Sequence, residues 1–178
     1  NTANDKKRER IMSAVIRKAE LKDCGACVVI YNYYIEKTTV TFEETPLTTE
    51  ELEARFLRIT EKYPFFVADE DGKTVGYAYL DTFNPRSAYR KTADLSIYLD
   101  KNTVSRGLGS LLLDKIEKEA EARGFDNIIS LVTEENAASV LFHEKHGFTH
   151  TGRLEKVGVK FGKELDVLFL QKLLKGTL

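Results

Sequence analysis

The stretch Leu95-Ser-Ile-Tyr-Leu-Asp-Lys-Asn-Thr-Val-Ser-Arg-Gly-Leu-Gly-Ser-Leu-Leu-Leu-Asp-Lys-Ile-Glu117 reads as a strand, a polar turn and a long amphipathic helix. Leu95, Ile97 and Leu99 alternate with Ser96 and Tyr98, the two-residue period of a strand with unlike faces. From Leu108 onward, Leu108, Leu111, Leu112, Ile116 and Ala120 return at helical spacing. Between the two, Val104-Ser-Arg-Gly-Leu-Gly109 sets two glycines and a cation where the helix begins. Gly107 and Gly109 let the backbone come close to a ligand. The first amides of a helix have no partner within it and carry the positive end of its dipole. Together these suit a phosphate or diphosphate. Arg106 adds a permanent charge, and Ser105 and Ser110 can donate hydroxyls. The same spacing also describes a glycine-loosened turn ahead of an ordinary core helix.

Two nucleotide motifs are excluded. A Walker loop needs a Lys after its last glycine, and none follows Gly109. The dinucleotide fingerprint needs a third glycine where Leu112 stands.

The strand, Arg106-Gly-Leu-Gly109 and the helix resemble the acetyl-CoA motif of the GNAT acetyltransferases, written Gln/Arg-x-x-Gly-x-Gly/Ala. Asn136-Ala-Ala-Ser-Val-Leu-Phe-His-Glu-Lys-His-Gly-Phe148 is similar to the family's second motif. The phosphinothricin acetyltransferase-like branch is matched further by Asn32–Phe42, Tyr63–Ala68, Arg86-Ser-Ala-Tyr89 and Val157–Gly162. Val104 departs from the Gln/Arg position of the first motif. The resemblance implies an α/β fold whose central mixed, mostly antiparallel sheet is flanked by helices. It also implies acetyl-CoA as co-substrate, no metal, and a homodimer.

The 178 residues are enough for one domain with a substantial core. With 27 basic and 28 acidic residues the net charge is −1, which argues against a nucleic-acid surface. No run of about 18 apolar residues is present to span a membrane, and no apolar stretch follows the first basic residues as in a secretory signal. A cytoplasmic chain is expected. Residues 1–11 are polar and read as a leader or extension, ahead of a single domain over 12–178. Cys24-Gly-Ala-Cys27 has redox spacing but no second ligand pair, and it falls inside a helix running to Lys37 with Asp23 as its cap. Thr48-Thr-Glu-Glu51 predicts a capping box for a second helix, and Asp71-Gly72 a hairpin between strands at Phe65–Asp69 and Thr74–Asp81. Further elements are an apolar strand at Ile128–Val132, a helix over Ala137–His146 and strands at Thr149–Val157 and Leu165–Gln171.

Acetyl transfer to an amine needs a base for the ammonium, donors for the oxyanion, and a proton for the leaving thiolate. Asp94 opens the central strand and shares the face of Ser96 and Tyr98. Five steps along a strand cover roughly 16 Å, enough to separate a thioester from its diphosphate. The resemblance places the general base at Asp94, where the branch has Glu, and leaves open a water between. It makes His143 a second catalytic residue, acid or base; a packed helix histidine is the alternative. It assigns cofactor contacts to Ile97, Tyr98, Leu99, to the run Ser105, Arg106, Gly107, Leu108, Gly109 and Ser110, and to Asn136, which also suits a helix cap. Phe42, Arg86 and Tyr89 match acceptor-contacting positions, and a guanidinium can grip a carboxylate through two parallel bonds. Glu164 and Asn84 replace an aromatic and a basic residue of the branch. The implied reaction is N-acetylation of the α-amine of a small amino acid or analogue. The alternatives are a protein N-terminus or polyamine as acceptor, or an acetyl-CoA-binding module without catalysis.

Overall fold

The computed structural model describes residues 14–104 and 106–174. The polar leader over 1–11 and the cofactor assignment to Ser105 lie outside the described residues. Elements run in the order β1 (Ala14–Lys18), a short 3-10 helix (Leu21–Asp23), α1 (Cys24–Lys37), α2 (Thr49–Thr60), β2 (Phe65–Glu70) and β3 (Lys73–Thr82). A second 3-10 helix (Ser87–Tyr89) leads to β4 (Thr92–Leu99), α3 (Leu108–Ala122), β5 (Asn127–Thr133), α4 (Ala137–Lys145), β6 (Thr149–Lys160) and β7 (Lys163–Leu173). The fold is mixed α/β, and its strand order is β1-β2-β3-β4-β5-β7-β6.

Two compact units interleave along the chain. One takes in residues up to Tyr31, Leu47–Leu80 and Ser96–Ala120; the other comprises Asn32–Pro46, Asp81–Leu95 and Glu121 onward. In the first, β1 pairs antiparallel with β2, and β2 with β3 across the Asp71-Gly72 turn, where both residues have positive φ (53° and 81°). The Thr48 capping box forms as predicted, with Thr48 Oγ1 accepting from the Glu51 amide and Glu51 Oε2 from the Thr48 amide. Helix α3 buries Leu108, Leu112, Leu113, Ile116 and Ala120. Leu111, expected on that face, is exposed, and Leu113 takes its place. At about 100° per residue Leu111 stands about 140° from the middle of the buried arc, so Leu113 satisfies the helical period better.

Asp23 does not cap α1 but ends the 3-10 turn ahead of it. Its buried carboxylate accepts both Nη atoms of Arg17 at 2.8 Å, the Glu20 amide at 2.8 Å and the Thr74 hydroxyl at 3.1 Å. Arg17 Nε also donates to Asp69 at 2.9 Å, so one cation ties three strands and the turn together.

In the second unit β4 pairs parallel with β5, and β7 pairs antiparallel with both β5 and β6. The β6–β7 strands extend further than expected, closing on a two-residue turn at Phe161 (φ 52°) and Gly162 (φ 69°). Strand β6 is exposed along almost its whole length and carries two irregularities, at His150/Gly152 and Leu154/Gly158.

Candidate active site

In the first unit, Gly107 adopts φ 84°, a left-handed turn that glycine enters without strain, and α3 starts at the next residue. Leu108 and Gly109 are buried in the first turn of α3, where Ser110 also lies. This is a helix N-terminus of the anion-binding kind. Arg106 does not stand open beside it: its guanidinium meets Glu70, Nη1 lying 3.3 Å from Oε2 while Nη2 donates to Oε1. Nothing in the sequence connects these two residues, which lie 36 positions apart. On β4, the Tyr98 ring packs 4.9 Å from Tyr31 and 5.5 Å from Tyr77, committing the side chain to an aromatic cluster. What Tyr98 leaves available to a ligand is therefore chiefly its backbone.

In the second unit, Asp94 is the third residue of β4 rather than its opening one. Thr92, Ala93 and Asp94 stand opposite Asn127, Ile128 and Ile129, and the β4–β5 ladder ends there. Burial pushes the Asp94 carboxyl up to about 7; the nearby negative charge of Asp81 adds to the rise, and the Leu95 amide partly offsets it. A carboxylate with that pKa is a usable base near neutrality, unlike an ordinary aspartate. Asp81, the penultimate residue of β3, was not legible as a neighbour of Asp94 from sequence.

His143 is buried on α4, with Nδ1 2.7 Å from the Ser139 carbonyl oxygen. A carbonyl only accepts, so Nδ1 carries the proton and Nε2 of the neutral ring holds a lone pair. Nε2 is buried without a partner among the described residues. Burial lowers the His143 pKa, against the Ser139 bond that raises it, and His146 lowers it further. The neutral ring therefore presents an acceptor rather than an acid. Asn136 caps α4, its Oδ1 accepting from the Ser139 amide at 3.3 Å.

Three expected acceptor residues lie in this unit. Arg86 is exposed, and its guanidinium has no hydrogen bond or ion pair among the described residues; its amide takes Asn84 Oδ1 at 3.0 Å. Tyr89 is half exposed, edge-on to Phe83 at 5.7 Å. The Phe42 ring lies against Gly158, where a Cβ would sit 2.2 Å from Phe42 Cε2. The loop that bears Phe42 is fastened by the buried Lys160, whose Nζ donates to the Thr41 carbonyl at 2.7 Å, and by the Thr133 hydroxyl on Thr39 O at 2.7 Å. Beside it, Lys37, Thr38, Thr39, Val40, Glu135, Asn136 and Phe161 line an open cavity of about 290 Å³. Lys160 is thus occupied by the protein's own backbone. Glu164 pairs with Lys156 at 2.9 Å.

Cys24 and Cys27 are both buried in α1, and burial pushes their thiols up, Cys24 to about 11. A thiol so far from thiolate is a poor nucleophile at neutral pH. Among the described residues no three His, Cys, Asp or Glu side chains converge to hold a metal, and no helix is long and apolar enough to cross a membrane.

Residues 16–169 match the family model of the Acetyltransferase (GNAT) domain. The chain is 34% identical over 162 residues to the phosphinothricin N-acetyltransferase of Alcaligenes faecalis, covering 90% of this chain and 82% of that one. It is 35% identical over 162 residues to the L-methionine sulfoximine/L-methionine sulfone acetyltransferase of Pseudomonas paraeruginosa, covering 90% and 94%. A solved phosphinothricin acetyltransferase from Sinorhizobium meliloti, in complex with AcCoA, matches with a TM-score of 0.88 at 34% identity, covering 91% of this chain and 89% of that one.

Proposed function

Because the chain belongs to the GNAT acetyltransferases, we propose that it moves an acetyl group from acetyl-CoA to the α-amine of a small amino acid or analogue. Phosphinothricin, methionine sulfoximine and methionine sulfone are the acceptor types, after the relatives' names. The observation that carries the mechanism is the Asp94 carboxyl, raised to about 7. The diphosphate sits on the N-terminal amides of α3 after Gly107, and the backbone of Ile97 to Leu99 and the Asn136 side chain hold the pantetheine arm. Asp94 takes the ammonium proton, directly or through water. The free amine attacks the thioester carbonyl, the C–N bond forms, and the C–S bond breaks. The thiolate collects a proton by way of solvent, because the neutral His143 has none to give at Nε2; His143 serves as acceptor or positioning group. Arg86 grips the acceptor's carboxylate, with Tyr89 and Phe42 as walls.

The test is a screen of amino acids and these analogues for CoA release. Absence of turnover with all of them, in a protein that binds acetyl-CoA, would leave a binding module. With an active acceptor, kcat/KM should rise with pH through about 7 as Asp94 ionises. A profile flat across pH 6–8 removes Asp94 as base. Gly158→Ala forces the Phe42 ring to move, since the new methyl would overlap it. The KM for the acceptor should rise about tenfold, the cost of a displaced apolar wall, while the KM for acetyl-CoA stays level. Equal shifts in both would take Phe42 out of the acceptor pocket.

The same reading carries a cytoplasmic homodimer that acts without nucleic acid or membrane, one functional domain after the leader. The balanced charge supports the absence of a nucleic-acid partner, and the exposed Leu154, Val157, Val159 and Phe161 of the β6–β7 hairpin support the homodimer.

A further inference from the structure

Arg106 directly precedes the glycine turn that opens α3, yet its guanidinium is folded onto Glu70, the last residue of β2. Fork meets fork: Nη1 is 3.3 Å from Oε2, and Nη2 donates to Oε1. Both side chains are largely withdrawn from solvent, at 13% and 17% exposure. A carboxylate and a phosphate occupy the same edge of a guanidinium through the same two parallel bonds. A diphosphate seated on the α3 amides therefore finds the neighbouring cation already taken.

The geometry points to Glu70 as an affinity-setting residue, a built-in carboxylate that competes with the diphosphate of CoA for Arg106. This rests on the acetyl-CoA reading above. Exchange of partners keeps Arg106 from ever being stranded, since a half-buried charge without a counter-ion is costly. It also weakens the hold on CoA after transfer, in a step that often limits such enzymes. Neither half of the pair belongs to the proton chemistry.

Calorimetric titration with CoA tests it. Glu70→Gln keeps the shape and removes the charge, so CoA should bind about fivefold tighter, the worth of one partly screened ion pair. Glu70→Asp, which keeps the charge, should bind like the wild type. In an Arg106→Ala background the Gln substitution should change nothing, because the competition has lost its object. With S-acetylpantetheine as donor, which lacks the diphosphate, wild type and Glu70→Gln should show equal kcat/KM. Unchanged or weaker CoA binding in Glu70→Gln overturns the inference. So does a gain that persists without Arg106, or one that extends to S-acetylpantetheine. If the wild type itself gives no heat with CoA, the acetyl-CoA reading has failed, and this inference falls with it.

Discussion

Replacing Asp94 with Ala should lower kcat by about 10²- to 10⁴-fold, the range for loss of a positioned general base. The affinity for acetyl-CoA should barely move, because the proposed donor contacts lie further along β4 and at α3. Asp94→Asn should lower kcat as severely and also stabilise the protein in mild alkali. The sign follows from the shift. Folding raises this carboxyl from near 3.8 to about 7, so the folded state favours the protonated form. That preference is fully present below the unfolded value and is lost as pH rises through about 7, where a charge must be carried in a desolvated place. An amide avoids the charge. The gain above pH 7 has an upper bound of about 4 kcal/mol from three pKa units, and it should vanish at pH 4. Such a trade of stability for chemistry is common at active sites. Full activity in Asp94→Ala would remove it from the mechanism; a variant that is inactive but no more stable at pH 8 would leave it a polar contact.

The second large effect is on stability alone. Asp23→Ala should cost about 3 kcal/mol, the low end for breaking a buried ion pair, because Arg17 retains part of its solvent contact. In a chain of this size that is a fall in Tm of about 10 °C. Burial by itself would raise the Asp23 carboxyl; the Arg17 fork, the Glu20 amide and the Thr74 hydroxyl outweigh it and hold it below the usual carboxylate range. A depressed carboxyl stabilises above its unfolded pKa, and that contribution disappears as pH falls through the lower, folded value. The difference between wild type and variant should accordingly be complete at pH 7 and shrink in strong acid. A loss under about 1 kcal/mol at pH 7 would show that Arg17 is adequately neutralised by Asp69 alone.

Local signals in the sequence were sufficient where one or two neighbours determine the geometry. The Thr48 box, the Asp71-Gly72 turn, the Asn136 cap and the α3 start each depend on residues within four positions. Asp23 looked like a cap because its actual partners are Arg17 of β1, the Glu20 amide and Thr74 of β3, and no local pattern announces Thr74 at 51 positions from Asp23 or Asp69 at 52 from Arg17. The β6–β7 turn was missed because it puts Phe161, not Asn or Asp, in the left-handed region; Gly162 was the single available hint. In the candidate site, the residue types of Asp94 and His143 were readable, but their protonation was not. Burial and the Ser139 carbonyl set it, and both are products of the fold. Arg106 reads as a free phosphate ligand in any sequence; only the structure supplies Glu70.

Strand β6 lies last in the sheet, where unmet amides invite a neighbour to add on. Two of its residues pass one of β7 at His150–Gly152, and between Leu154 and Gly158 two more are looped out. Lys156, at φ 50°, turns its amide inward to Asp166 Oδ1 at 2.6 Å. The one-residue slip reverses which groups point outward, and the two-residue loop interrupts the edge a second time, so an incoming chain loses step within a few residues. Fibrillar stacking through this rim is thereby discouraged even at high concentration, and any second copy docking here would be recognised by side chains rather than by backbone.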